Sequence, residues 1–99
     1  MKLIDITEGT LWNHAGEKVF EHGVLIEKEQ RVRELEVIAS ANTIDAVDGG
    51  SRGEDYCVDI RYQDEIEYTC ECSFNVGMCK HVVAVLLKYL HELAPAKEP

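Results

Sequence analysis

The sequence has no apolar run long enough to cross a membrane. Its most apolar stretch, Val82 to Leu87, stops at Lys88, far short of the roughly 20 residues a bilayer core requires. No signal peptide is visible, because Met1-Lys2-Leu3-Ile4-Asp5-Ile6-Thr7 carries an acid inside its apolar patch. A chain without an export signal is expected in the cytoplasm, a reducing compartment where clustered cysteines favour metal over disulfides. Proline is confined to Pro95 and Pro99. There is no internal repeat and no low-complexity block. Basic residues are scarce: 10 Lys and Arg stand against 19 Asp and Glu, for a net charge of −9. The whole excess lies in residues 1–69, which hold 16 acids and 7 bases, whereas residues 70–99 hold 3 of each. No basic stripe is present to overcome the repulsion of a phosphate backbone. Nucleic-acid binding is therefore disfavoured, and any local contact would fall to Lys80, Lys88, Arg52 or Arg61.

With 99 residues the chain reads as a single domain over 1–99, with 1–10 as a lead segment and 94–99 as a flexible tail. A domain of this size buries a modest fraction of its surface and gains from a staple. Its four cysteines offer one, as disulfides or as metal ligands. Residues 11–22 read as a helix, with Thr10 or Asn13 as N-cap, Gly23 just past its end, and Leu11, Trp12, Ala15, Val19 and Phe20 near one face. His14 and His22 on this segment are lone histidines, read as exposed or satisfied and not as ligands.

From Val24 the expected period is that of strands. Val24 and Ile26 alternate with Leu25 and Glu27, Leu35, Val37 and Ala39 with Glu36 and Ile38, and Ile44 and Ala46 with Thr43 and Asp45. Asp48-Gly49-Gly50-Ser51-Arg52-Gly53 reads as a turn or loop. Tyr56, Val58, Ile60 and Tyr62 then share one strand face, opposite Cys57, Asp59 and Arg61. After the short Gln63-Asp64-Glu65 connection, Ile66, Tyr68 and Cys70 share a face of the next strand, so the two strands are expected to pair as a hairpin. From Val82 to Leu93 the period returns to 3.6. This segment is apolar over more than half its circumference, as a core helix packed on a sheet must be. The expected fold class is α+β: a small antiparallel sheet with a leading helix, a Cys3His zinc knuckle and a C-terminal core helix.

The knuckle rests on Cys70-Glu71-Cys72 and Cys79-Lys80-His81, a C-x-C-x6-C-x-H arrangement running into the helix. Three sulfurs and one imidazole match a closed tetrahedral zinc site in number and kind. Cys70 and Cys72 are two apart on an extended segment and point to one face. Residues two apart in a regular helix diverge by about 200°, so Cys79 and His81 can share a metal only if that turn begins extended. A Cys70–Cys72 disulfide would close a strained ring. Cys57 is left over on the opposite strand face and reads as a free thiol.

Cys70-x-Cys72-x6-Cys79-x-His81, followed by Val82-Val83-Ala84-Val85-Leu86-Leu87, resembles the SWIM zinc-finger family, named for helicase-type ATPases and transposases that contain it. Ala15 to Val24 is similar to that family's leading helix and Gly-Val turn, and Tyr56 to Tyr62 to the strand before its cysteines. The resemblance implies Zn²⁺ as cofactor and a role in binding DNA or protein. Two departures stand out: this chain lacks a basic surface, and no catalytic domain accompanies the motif. Four protein ligands fill the zinc shell, and there is no H-x-E or C-x-x-C element for a zinc hydrolase or deaminase. The expectation is therefore not an enzyme but a zinc-stabilised module contacting another protein or domain. The alternative is a DNA-binding finger working beside a helicase or transposase system.

Overall fold

The computed structural model describes residues 7–49, 55–62, 66–71 and 78–93. Two helices lead: α1 over Glu8–Ala15 and α2 over Glu17–Lys28. Four strands follow, β1 (Val32–Ile38), β2 (Thr43–Gly49), β3 (Asp55–Tyr62) and β4 (Ile66–Cys70), then α3 (Lys80–Lys88), extended by a π-helical turn over Tyr89–Leu93. The strands form an antiparallel meander in the order β1-β2-β3-β4. No described helix is long and apolar enough to cross a membrane. The expected α+β architecture is what the chain adopts. Residues 1–6, 50–54, 63–65, 72–77 and 94–99 lie outside the described residues, and with them the expected tail 94–99 and most of the expected lead segment 1–10 and of the expected turn 48–53; the rest of that lead, Thr7 to Thr10, caps and begins α1.

The N-terminal helix differs from the expected one in its bounds. Thr7, not Thr10 or Asn13, is the N-cap, and Thr7 and Thr10 cap each other reciprocally. Gly16 at φ 87° breaks the segment in two, a conformation glycine adopts without a Cβ penalty. Gly23 does not end a helix. It lies inside α2, buried, where a Cβ would stand 2.6 Å from the Val83 Cβ and 3.2 Å from the Lys80 carbonyl oxygen. Its missing side chain lets α2 lie directly on the first turn of α3. Val24 and Ile26 are accordingly helical and not strand, and Ile26 is buried while Leu25 is exposed. The local alternation of apolar residues was equally compatible with a helix whose buried stripe passes through Gly23 and Ile26.

The sheet follows the alternation closely. Ile44 and Ala46 of β2 and Val58, Ile60 and Tyr62 of β3 are buried, while Asp45, Cys57 and Arg61 are exposed. β1 is the irregular edge: its register shifts between Arg33 and Glu36, where Glu34 takes φ 51°, and Ala39 has left the strand for a 3₁₀ turn. Such a bulge on an edge strand obstructs edge-to-edge pairing. Tyr62 pairs with Ile66, so β3 and β4 form the expected hairpin.

α3 lies at the centre of the molecule. It packs on all four strands and on both leading helices. Every residue from His81 to Leu87 is buried, which accounts for a helix apolar around most of its circumference.

Candidate metal centre

The sheet and α3 converge at one corner. Cys70 ends β4 on its inward face, opposite Val58 of β3. Cys79 is the N-cap of α3, with extended backbone at φ −89° and ψ 169°, and His81 is the second residue of the helix. The extended N-cap meets the condition set by the spacing. It turns Cys79 away from the regular helical path, so its side chain and that of His81 reach the same point.

The sulfurs of Cys70 and Cys79 stand 3.7 Å and 4.0 Å from His81 Nδ1, and the ligand atoms of all three residues lie within 4.8 Å of one another. Ligand atoms on a tetrahedral zinc, with Zn–S about 2.3 Å and Zn–N about 2.0–2.1 Å, are roughly 3.6–3.8 Å apart. The three donors are therefore gathered at nearly the spacing a zinc ion imposes, and two sulfurs with an imidazole are the donor set that such an ion prefers. The residues fit the metal. Cys72 lies outside the described residues. Cys79 and His81 are buried and Cys70 half-buried. The amino end of α3 places its partial positive charge beside the Cys79 sulfur, which favours the thiolate a metal needs.

The surroundings hold the imidazole. Tyr56 of β3 packs on the His81 ring, with centroids 4.7 Å apart. Asp48 of β2 pairs with Tyr56 across the sheet and is wholly buried. Neither of its carboxylate oxygens has a hydrogen-bond partner among the described residues. Burial pushes this carboxyl up to about 6, with the Cys79 thiolate adding to the rise, while the charges of His81, Arg31 and Lys80 pull it down. Tyr68 on β4 feels the same corner: burial first, and Cys79 second, raise its phenol.

Asp48 is the residue that sequence reasoning missed. Asp-Gly-Gly looks like a turn, but β2 runs on through Gly49, whose amide donates to the Arg31 carbonyl at 2.8 Å. The signal was present in the alternation, since Asp48 continues the inward series of Ile44 and Ala46.

The other candidates lie elsewhere. Cys57 is an exposed free thiol on the outer sheet face. Its amide donates to Glu71 Oε1 at 2.9 Å. Hydrogen bonding to the Glu71 carboxylate, and that group's charge, hold the Cys57 thiol above its ordinary value. The same contacts lower the Glu71 carboxyl, so the acid beside Cys70 is engaged with Cys57 on the outer face. His14 and His22 are exposed, away from the cluster.

No curated protein and no solved structure matches the chain. A family model matches residues 52–90, a segment that does not include the stretch Ala15 to Val24 likened above to a family's leading helix. That segment takes in β3, β4, Cys70, Cys79, His81 and α3, and it matches the SWIM zinc finger.

Proposed function

We propose that the protein is a zinc-binding module whose ion is structural, held by Cys70, Cys72, Cys79 and His81, and whose task is to contact another protein or domain. The observation that carries the reading is the convergence of Cys70, Cys79 and His81 at one buried corner, within a segment that matches a zinc finger. Cys72 follows Cys70 at the spacing that supplies a fourth sulfur. With four protein ligands the ion offers no open position for substrate, so the module is read as binding and not catalytic.

The protein-contact reading is supported by charge. The outer sheet face carries Glu36, Asp45 and Asp59 in register across β1, β2 and β3. Arg61 on the same face stands opposite Glu67, and Arg33 is paired with Asp55. Such a face repels phosphate. Trp12 and Leu25 are the large apolar side chains left exposed among the described residues.

The test is a pull-down from native extract with the zinc-loaded and the chelated protein, recovered material being analysed for protein and nucleic acid. A protein recovered only with the zinc form supports the reading. Nucleic acid recovered at moderate salt overturns it in favour of a DNA-binding finger. Direct titration with labelled duplex is expected to give a Kd weaker than about 10 µM at physiological salt, within the usual non-specific range of about 10⁻⁴ to 10⁻⁶ M.

A further inference from the structure

Buried carboxylates are rare without a partner, because the desolvation of the charge is not repaid. Asp48 is such a group: wholly buried, with both oxygens lacking a hydrogen bond among the described residues. It is not at a sheet end by accident of a loop, for it is paired on both sides, with Val32 of β1 and Tyr56 of β3. Its side chain lies on the face that α3 covers, and its position is next to the tyrosine whose ring packs on His81. It stands within electrostatic reach of His81 and Cys79. His81 turns Nδ1 toward the two sulfurs. Nε2, on the opposite edge of the ring, is then the nitrogen left to carry the proton when Nδ1 faces the metal, and the acceptor that meets that N–H fixes the tautomer. Asp48 is a buried carboxylate with both oxygens unpaired among the described residues, one cross-strand neighbour away from this ring through Tyr56.

We propose that Asp48 is the outer-sphere acceptor that holds the His81 imidazole in its metal-ligating tautomer, and that it thereby sets how tightly the corner takes its metal. The proposal rests on the zinc-site reading above. Metal-ligating histidines usually pass their second N–H to a carboxylate or a carbonyl, which fixes the ring and raises its basicity as a ligand. In the protein without metal the same aspartate is a liability, being a buried charge with no hydrogen bond. Asp48 is thus a positioning residue: it acts on the metal through His81. Two other cations stand within its reach, Arg31 and Lys80. Arg31 stands 3.0 Å from Glu29 through its Nε, an atom that is buried and makes no hydrogen bond among the described residues, and Lys80 is exposed.

The experiment compares the wild-type chain with Asp48→Asn and Asp48→Ala, with zinc itself as the probe. Zinc affinity is read by chelator competition, thermal midpoints are read with and without zinc, and the His81 ring is read by nitrogen-15 NMR. The wild-type zinc form is expected to show Nε2 protonated and slow to exchange. Affinity is expected to fall about 10- to 100-fold in Asp48→Ala and by less in Asp48→Asn, which keeps an oxygen acceptor. Both variants are expected to raise the midpoint of the metal-free protein, an opposition that a plain packing role does not produce. Unchanged zinc affinity in both variants overturns the proposal. So does a metal-free midpoint that drops in both, which assigns Asp48 to Arg31 as a structural partner. Failure of the wild-type chain itself to bind zinc defeats the zinc-site reading instead.

Discussion

The two faces of the sheet treat the same side chain in opposite ways. Asp45 and Asp48 lie three residues apart on β2, so the pleat sends one outward and the other inward. Asp45 is exposed and stands in register with Glu36 on one side and half-buried Asp59 on the other. Asp48 is wholly buried under α3, with no hydrogen bond to either oxygen. The outer row is the cost of a highly acidic surface and is screened by salt. The inner acid is a single costly charge, kept where the cysteines and His81 converge. The comparison separates carboxylates on the outer face from one buried next to the Cys and His cluster.

The largest effect should come from breaking the inner corner itself. Structural zinc contributes folding free energy on the order of 10 kcal/mol in small peptides. Chelation, or Cys79→Ser, is expected to lower the thermal midpoint by tens of degrees, at roughly 4–8 °C per kcal/mol for a domain of this size, and to loosen the first turn of α3 in hydrogen exchange. Cys57→Ser on the outer face is expected to leave the midpoint within about 4 °C of wild type, since surface changes move stability by about 0.5 kcal/mol or less. A comparable loss in both serine variants would erase the distinction between the faces.

Gly23 sharpens the same distinction on the helical side. Alanine normally improves a helix by about 1 kcal/mol over glycine, yet at this site its Cβ would press into Val83. Gly23→Ala is expected to cost about 1–3 kcal/mol in denaturant unfolding. At Gly9 of α1 the nearest atom to an added Cβ is Thr7 Oγ1 at 3.6 Å. Gly9→Ala is therefore expected to be neutral or to gain up to about 1 kcal/mol.

Smaller still are the contacts made in water. His91, in the turn after α3, meets Glu27 of α2 at 3.0 Å and Glu8 of α1 at 3.4 Å. Partial burial works against its charged form, but the hydrogen bonds and charges of Glu8 and Glu27 outweigh it, and its pKa is raised. The stabilisation is fully present below the ordinary histidine value of about 6.5 and is lost as pH rises through the elevated folded value. His91→Gln is expected to remove at most about 1 kcal/mol, in that lower pH range only, as thermal melts across pH 5–8 will show.

Least of all is Asp45→Asn. The hydrogen bond with Asp59 comes first among the causes that raise the Asp45 carboxyl, followed by burial and by the charges of Asp59 and Glu36, with Arg61 opposing. An acid whose folded pKa is raised contributes most below its unfolded value and loses that contribution as pH rises through the folded one. The asparagine variant is thus expected to be more stable by a few tenths of a kcal/mol at neutral pH, with the gap closing below about pH 4.

Legibility in the sequence tracked how far each side chain depends on its neighbours along the chain. The β3 series Tyr56, Val58, Ile60 and Tyr62 alternates strictly, and a strand with one buried face must alternate. The run from Val82 had no other reading than a buried helix. Cys70, Cys79 and His81 could be singled out before their positions were seen because their types and spacing match what a tetrahedral metal asks of its ligands. Gly23 could not be read: a glycine after an amphipathic segment looks like a stop, and only the approach of Val83, sixty residues away, makes it a packing residue. Asp48 continued the alternation of Ile44 and Ala46, but a competing local signal masked it. Asp-Gly-Gly is turn chemistry, and the pairing of Gly49 with Arg31 that keeps it in a strand is a long-range event.

Counting the metal tests the account most directly. Native mass spectrometry of the intact protein, combined with zinc-edge X-ray absorption, should find one zinc per chain with three sulfur neighbours and one nitrogen neighbour. The count should be retained in Cys57→Ser and lost or sharply reduced in Cys79→Ser. A chain that carries no zinc after purification with zinc present, or a site that keeps its sulfur count in Cys79→Ser but loses a sulfur in Cys57→Ser, would contradict the ligand set of Cys70, Cys72, Cys79 and His81.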